Sequence, residues 1–194
     1  MLKLQARTTV TSQLVAMNSF PIETLTLRVA EEPLHGIIRV QTDGQSAQSR
    51  TAIQSALGLE LPQPERSTEA GGTRLIWVGP NEWLVLCTLE DETIRFDALS
   101  ARLAGQFAAV TLVSDSRVSF KVSGTSAPDF LAKGCAIDLH DNAFPVGAVV
   151  TTRFAAQPAM LVRRGRNEFI LYFDVSMAAF LVDWMLDAAD EFTN

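Results

Sequence analysis

The chain has 194 residues, of which 47% are apolar and 20% charged. That is enough to bury a core without a disulfide or metal staple, and it excludes disordered, collagen-like and mini-protein classes. Sixteen Lys and Arg against twenty-two Asp and Glu leave a net charge of −6, so neither nucleic acid nor an anionic membrane is an expected partner. Mean hydropathy is nonetheless +0.15, as for a chain with apolar surface covered by a partner or with strands buried on both faces.

Residues 1–24 read as an N-terminal arm, because Thr, Ser and Gln interrupt every stretch that could act as a signal core. No run approaches the roughly 18 apolar residues of a membrane span. Two cysteines, Cys87 and Cys135, are too few for a secreted disulfide framework, which points to a reducing, cytoplasmic setting.

The first predicted strand is Ile37–Gln41, followed by Gly44 and by a helix that turns Ile53 and Leu57 inward and stops at Gly58. Residues 62–72, PQPERSTEAGG, lack periodicity and read as a solvated loop. Leu75–Val78 and Trp83–Cys87 then form a hairpin around a four-residue turn, Gly79-Pro80-Asn81-Glu82. Phe96, Leu99 and Leu103 mark one face of a second helix closed by Gly105, and Val110–Val113 supplies a closing strand.

The same order then repeats. Val118, Phe120 and Val122 alternate with polar residues, Gly124 follows, and a helix carrying Phe130 and Leu131 ends at Gly134 before Ile137-Asp138-Leu139. A hairpin over residues 160–164 and 169–173 turns at Gly165-Arg166-Asn167-Glu168, offset from the first Gly-x-Asn-Glu by 165 − 79 = 86 residues. A last helix is predicted with Ser176 as N-cap and an apolar stripe of Met177, Phe180, Leu181, Trp184 and Met185. Strand, helix, hairpin, helix, strand is the βαββαβ order of a ferredoxin-like unit. The predicted fold class is therefore α+β. Two tandem units, about 36–113 and 116–190, lie within a single domain of residues 25–194.

Reactive chemistry is sparse. His35 and His140 have no Cys or His at ligand spacing, so each is expected at the surface or in a hydrogen bond, and no metal site is predicted. Cys135 follows a helix C-terminus, where the dipole raises a thiol pKa, and Cys87 lies in an apolar strand, so neither reads as a nucleophile. No Gly-x-Gly-x-x-Gly, phosphate loop or Gly-x-Ser-x-Gly occurs. No catalytic residue is predicted. Arg163, Arg164 and Arg166 form a basic spot at the second hairpin tip, expected to be a solvated turn or, alternatively, a contact for an acidic partner. Asp115 and Asp138 stand in unusual surroundings; a turn-capping role or an acid-base role is open to each.

Taken together, WVGPNEWLVL, LVSDSRVSFKVSGTSAPDFLAKGCAIDL, FPVGAVVTTRFA and LVRRGRNEFILYFDVSMAAFLVDWMLDA resemble the gamma subunit of heterotetrameric sarcosine oxidase over roughly residues 25–190. The second half more distantly resembles the folate-binding domain of aminomethyltransferase, which implies paired ferredoxin-like units of that type. The first resemblance implies a non-catalytic subunit of a complex that oxidatively demethylates sarcosine to glycine. FAD, FMN, NAD and tetrahydrofolate would then lie on other chains, with alpha, beta and delta subunits as partners. The second makes Asp138 the position matching the folate-engaging Asp. The later Gly-Gly-x-x-Asp-Asp is replaced here by Phe154-Ala155-Ala156-Gln157-Pro158-Ala159, so the site reads as vestigial. The alternatives are an autonomous folate-binding one-carbon protein using Asp138 and an interaction module of another complex.

Overall fold

The computed structural model describes residues 10, 20–43 and 46–193. These fall into two compact units, one of His35–Asp115 with Gly147–Val149, the other of the described part of Met1–Leu34 with Ser116–Val146 and Val150–Asn194. Most of the predicted arm lies outside the described residues.

The first unit runs β3 (Gly36–Thr42), α1 (Ala47–Leu57), β4 (Ser67–Ala70), β5 (Thr73–Gly79), β6 (Glu82–Cys87), α2 (Glu92–Leu103) and β7 (Ala108–Leu112). Its antiparallel sheet has the order β4-β5-β6-β3-β7. β6 sits between β3 and β5, which therefore run parallel, as a split βαβ unit requires. Ser46 opens α1 by accepting the Ser49 N–H at 3.1 Å, and Gly58 closes it. Ile53, Leu57, Leu99 and Leu103 from the two helices pack with Ile38, Val40, Leu75, Trp83 and Val85 of the sheet.

Two expectations change here. Residues 62–72 are not all loop: β4 pairs Ser67 with Ile76 and Ala70 with Thr73 across Gly71-Gly72. Both glycines have positive φ, 56° and 74°, which a two-residue hairpin turn of the primed type needs. The predicted four-residue turn is a two-residue one, because Gly79 still pairs with Glu82 after a bulge at Val78. Ile37, Ile76, Leu84 and Leu86 on the opposite face are buried as well. Sheet strands buried on both faces thus account for much of the positive hydropathy.

The second unit contains β1 (Ile22–Glu23), β2 (Arg28–Glu31), β8 (Arg117–Ser123), α3 (Ala127–Gly134), β9 (Val149–Phe154), β10 (Gln157–Gly165), β11 (Glu168–Asp174) and α4 (Ala178–Ala189). Its sheet order is β1-β2-β8-β11-β10-β9. The strand beside β8, in the place β7 holds beside β3, comes from upstream: β2 pairs Val29 with Val122 and Glu31 with Phe120. The second ferredoxin-like unit is thus closed by a strand that precedes the first unit in sequence. Phe154 meets Trp184 edge-on at 4.8 Å, and Phe20 meets Phe120 at 6.0 Å and 90°.

The repeated Gly-x-Asn-Glu has a repeated physical basis. The Asn81 carbonyl accepts the Thr42 N–H at 3.0 Å, and the Asn167 carbonyl accepts the Gly124 N–H at 3.1 Å, tying each hairpin to the end of its central strand. Glu82 forms a bidentate pair with Arg39 on β3, and Glu168 pairs with Lys121 on β8 at 2.9 Å.

Ser176 is not the N-cap of α4. The Asp174 carboxylate accepts the Ser176 N–H at 2.9 Å and its hydroxyl at 2.6 Å, opening a 3-10 turn, Val175–Met177, ahead of the helix. Those two hydrogen bonds hold the Asp174 carboxyl below the usual carboxylate range. The buried stripe of α4 is Ala178, Leu181, Val182, Met185 and Ala188, and Phe180 points outward. No helix among the described residues is long and apolar enough to cross a membrane.

Candidate functional site

Arg163 was expected at a solvated turn, yet only 2% of it is exposed. The register explains this: it precedes the hairpin bulge and pairs with Phe169, over whose ring its guanidinium lies at 5.2 Å. One terminal nitrogen donates to the Leu139 carbonyl at 3.2 Å and to the Phe144 carbonyl at 2.6 Å. The other donates to Asp141 and to the Arg166 carbonyl, and Nε reaches the Gly165 carbonyl at 3.2 Å. All five N–H groups are used, so Arg163 is a fully satisfied clamp that fixes the loop after α3.

That loop lines a cleft of about 780 Å³ together with Pro128, Asp129 and Ala132 of α3 and Arg166 and Asn167 of the hairpin turn. Asp138 and His140 lie on the loop, and both are exposed. The Asp138 carboxylate accepts the His140 N–H at 3.0 Å, an Asx turn that shapes the loop. Sequence reasoning singled out Asp138 and missed Arg163 as the residue that holds it in place. An Arg at a turn ordinarily reads as solvated; the hairpin bulge that turns it inward is not visible in composition.

Asp115 lies elsewhere, exposed in the 3-10 turn Ser114–Ser116 at the end of the first unit. The neighbouring Ser114 makes the contacts there: its hydroxyl accepts the Ile37 N–H at 2.8 Å and bonds Glu92. His35, half-buried, precedes β3 in the first unit, so the two histidines belong to different units. No group of three or more His, Cys, Asp or Glu able to hold a metal occurs among the described residues.

Burial and the nearby carboxylates Glu92 and Asp91 push the Cys87 thiol up to about 11. Burial also raises Cys135, whose Sγ donates to the Leu131 carbonyl at 3.3 Å. A thiol raised on folding is stabilising while protonated. Stability should therefore fall as pH rises from about 9, where an unfolded Cys87 ionises, to about 11, where the folded one does. Denaturant midpoints measured across that range should decline in the wild type and decline less steeply in Cys87→Ala.

The comparisons with known proteins bear on the whole chain. Residues 41–191 match the model of the sarcosine oxidase, gamma subunit family. The chain belongs to that family. A sarcosine oxidase subunit gamma from Arthrobacter sp. is 34% identical over 74% of this chain and 70% of that protein, and one from Corynebacterium sp. (strain P-1) is likewise 34% identical over the same shares. Among solved structures, heterotetrameric sarcosine oxidase from Corynebacterium sp. U-96, in complex with pyrrole 2-carboxylate, contains a chain that superposes with a TM-score of 0.87. Identity to it is 25%, and 98% of each chain is covered. Aminomethyltransferase T of the glycine cleavage system of Bartonella henselae superposes with a TM-score of 0.62 at 16% identity, over 88% of this chain and 48% of that one. This second likeness is one of fold: the paired ferredoxin-like units of this family member are those of the aminomethyltransferase type.

Proposed function

We propose that this gamma-family chain is the non-catalytic small subunit of a cytoplasmic heterotetrameric sarcosine oxidase that oxidatively demethylates sarcosine to glycine. Its partners are the alpha, beta and delta subunits, which carry FAD, FMN, NAD and tetrahydrofolate. The observation that carries this reading is the correspondence, over 98% of each, with one chain of a heterotetrameric sarcosine oxidase. Both thiols are held protonated by burial, which agrees with a supporting role.

The residues around Asp138 do not fit a folate site. Arg163 has no N–H left for a ligand carboxylate, and residues 154–159 bring no carboxylate. Asp138 is a vestige of the folate position. Calorimetry with tetrahydrofolate up to millimolar concentration should give no saturable heat, in the wild type or in Asp138→Ala. Saturable heat lost in Asp138→Ala would establish the autonomous one-carbon reading instead. The subunit reading itself is tested by affinity purification of the tagged chain from its native host. It predicts recovery of larger flavin-bearing chains, and fails if the protein emerges alone and colourless or with an unrelated complex.

A further inference from the structure

Among the described residues, the five-stranded sheet ends on β7, which pairs with β3 alone. Val113 N–H donates to the Ile37 carbonyl at 2.9 Å, which sets the phase of the ladder. Ala109 and Thr111 therefore bond β3, while Val110 and Leu112 turn their N–H and C=O groups away from the sheet.

Sheet edges are normally protected by charge, proline, shortness or cover. Among the described residues, β1 has only two residues, β4 carries Glu69, and β9 carries Arg153. β7 has neither charge nor proline from Phe107 to Val113, and no strand among the described residues pairs with its outer edge. Phe107 is 83% exposed and Leu112 47%. An unguarded edge flanked by exposed apolar side chains is a template for an added strand.

We infer that β7 docks an extended, uncharged segment of one of the larger subunits of the complex, which adds as a sixth strand by bonding the Val110 and Leu112 backbone groups; this rests on the proposed subunit role. Size argues against a second copy. A strand along five residues, roughly 17 Å, buries on the order of a few hundred Å², well short of the ~1,200 Å² of a stable interface. The occupant must belong to a chain with further contacts elsewhere.

The test uses the complex assembled by co-expression with its large flavin-binding subunits. Leu112→Pro removes an outward N–H without breaking a bond to β3, and Leu112→Lys places a charge on the edge. Each should weaken assembly at least about tenfold while the isolated chain keeps its melting temperature. Residue-resolved hydrogen exchange supplies a measurement independent of the variants. Val110 and Leu112 amides should slow about a hundredfold on assembly, whereas Ala109 and Thr111 are protected already in the free chain. Unchanged Val110 and Leu112 exchange in an intact complex overturns the docking of this edge and leaves the subunit role standing. Protection by self-association of the isolated chain overturns the larger-subunit occupant. A wild-type chain that does not bind the large subunits overturns both.

Discussion

Arg163→Ala is expected to cost about 3–5 kcal/mol, because it strips donors from four carbonyls and uncovers the Phe169 ring. The Leu139 and Phe144 carbonyls carry most of that cost, since both residues are buried and each orphaned acceptor costs roughly 1–3 kcal/mol. At roughly 2–4 °C per kcal/mol for a chain of this size, the unfolding midpoint should drop by about 10 °C. Arg163→Lys should recover less than half of the loss, because an ammonium cannot reproduce a planar fork that reaches both sides of the loop. The Asp141 side chain is 66% exposed and an Asn there keeps an oxygen to accept the Arg163 N–H, so Asp141→Asn should cost about 1–3 kcal/mol, less than Arg163→Ala. Arg166→Ala, whose exposed side chain is replaced while its clamped carbonyl remains, should stay within about 0.5 kcal/mol. Thermal unfolding followed by circular dichroism separates these cases, and an Arg163→Lys protein as stable as wild type would refute the clamp.

Gly124→Ala should be comparably damaging for a different reason. Gly124 has φ +113°, and a Cβ there would stand 2.1 Å from the Thr26 carbonyl oxygen and 3.2 Å from Leu27 Cα. Both obstacles are backbone, so no rotamer change relieves them. A cost of about 3–5 kcal/mol is expected from the strained dihedral and the clash combined. The residues pushed aside lead directly into β2, so the substitution should also release the strand that closes the second sheet against β8. Hydrogen exchange at Ala30, whose amide bonds Lys121 across that pairing, should accelerate in Gly124→Ala. The control is Gly79→Ala, where nothing lies within 4 Å of the added atom and the effect should be small. Equal melting temperatures for the two variants would contradict the assignment.

What the sequence made legible was local. Both hairpins, the helices ending at Gly58 and Gly134, and the βαββαβ order of the first unit follow from periodicity and punctuation. The closing strand of the second unit was not legible, because β2 reaches β8 across the whole first unit and no short window contains both. Residues 62–72 read as loop because the four mostly polar residues of β4 give no apolar alternation, although Gly71-Gly72 forms its turn to β5. At the candidate site Asp138 was visible and its support was not. Residue type places an arginine at a turn in water, and only the bulge that turns Arg163 over Phe169 reveals its burial. The exposed Phe180 illustrates the same limit, since the α4 stripe shifts once a 3-10 turn precedes the helix.

Sheet strands buried on both faces contribute to the positive hydropathy of this acidic chain, and so do exposed apolar side chains such as Leu25, Ile94, Phe107 and Val146. Sedimentation of the complex purified through this chain, with flavin absorbance recorded across the boundary, tests the subunit role most directly. A single coloured species containing this chain and its larger partners in equimolar amounts is the predicted result. A colourless boundary at the 21.2 kDa of the free chain would contradict it.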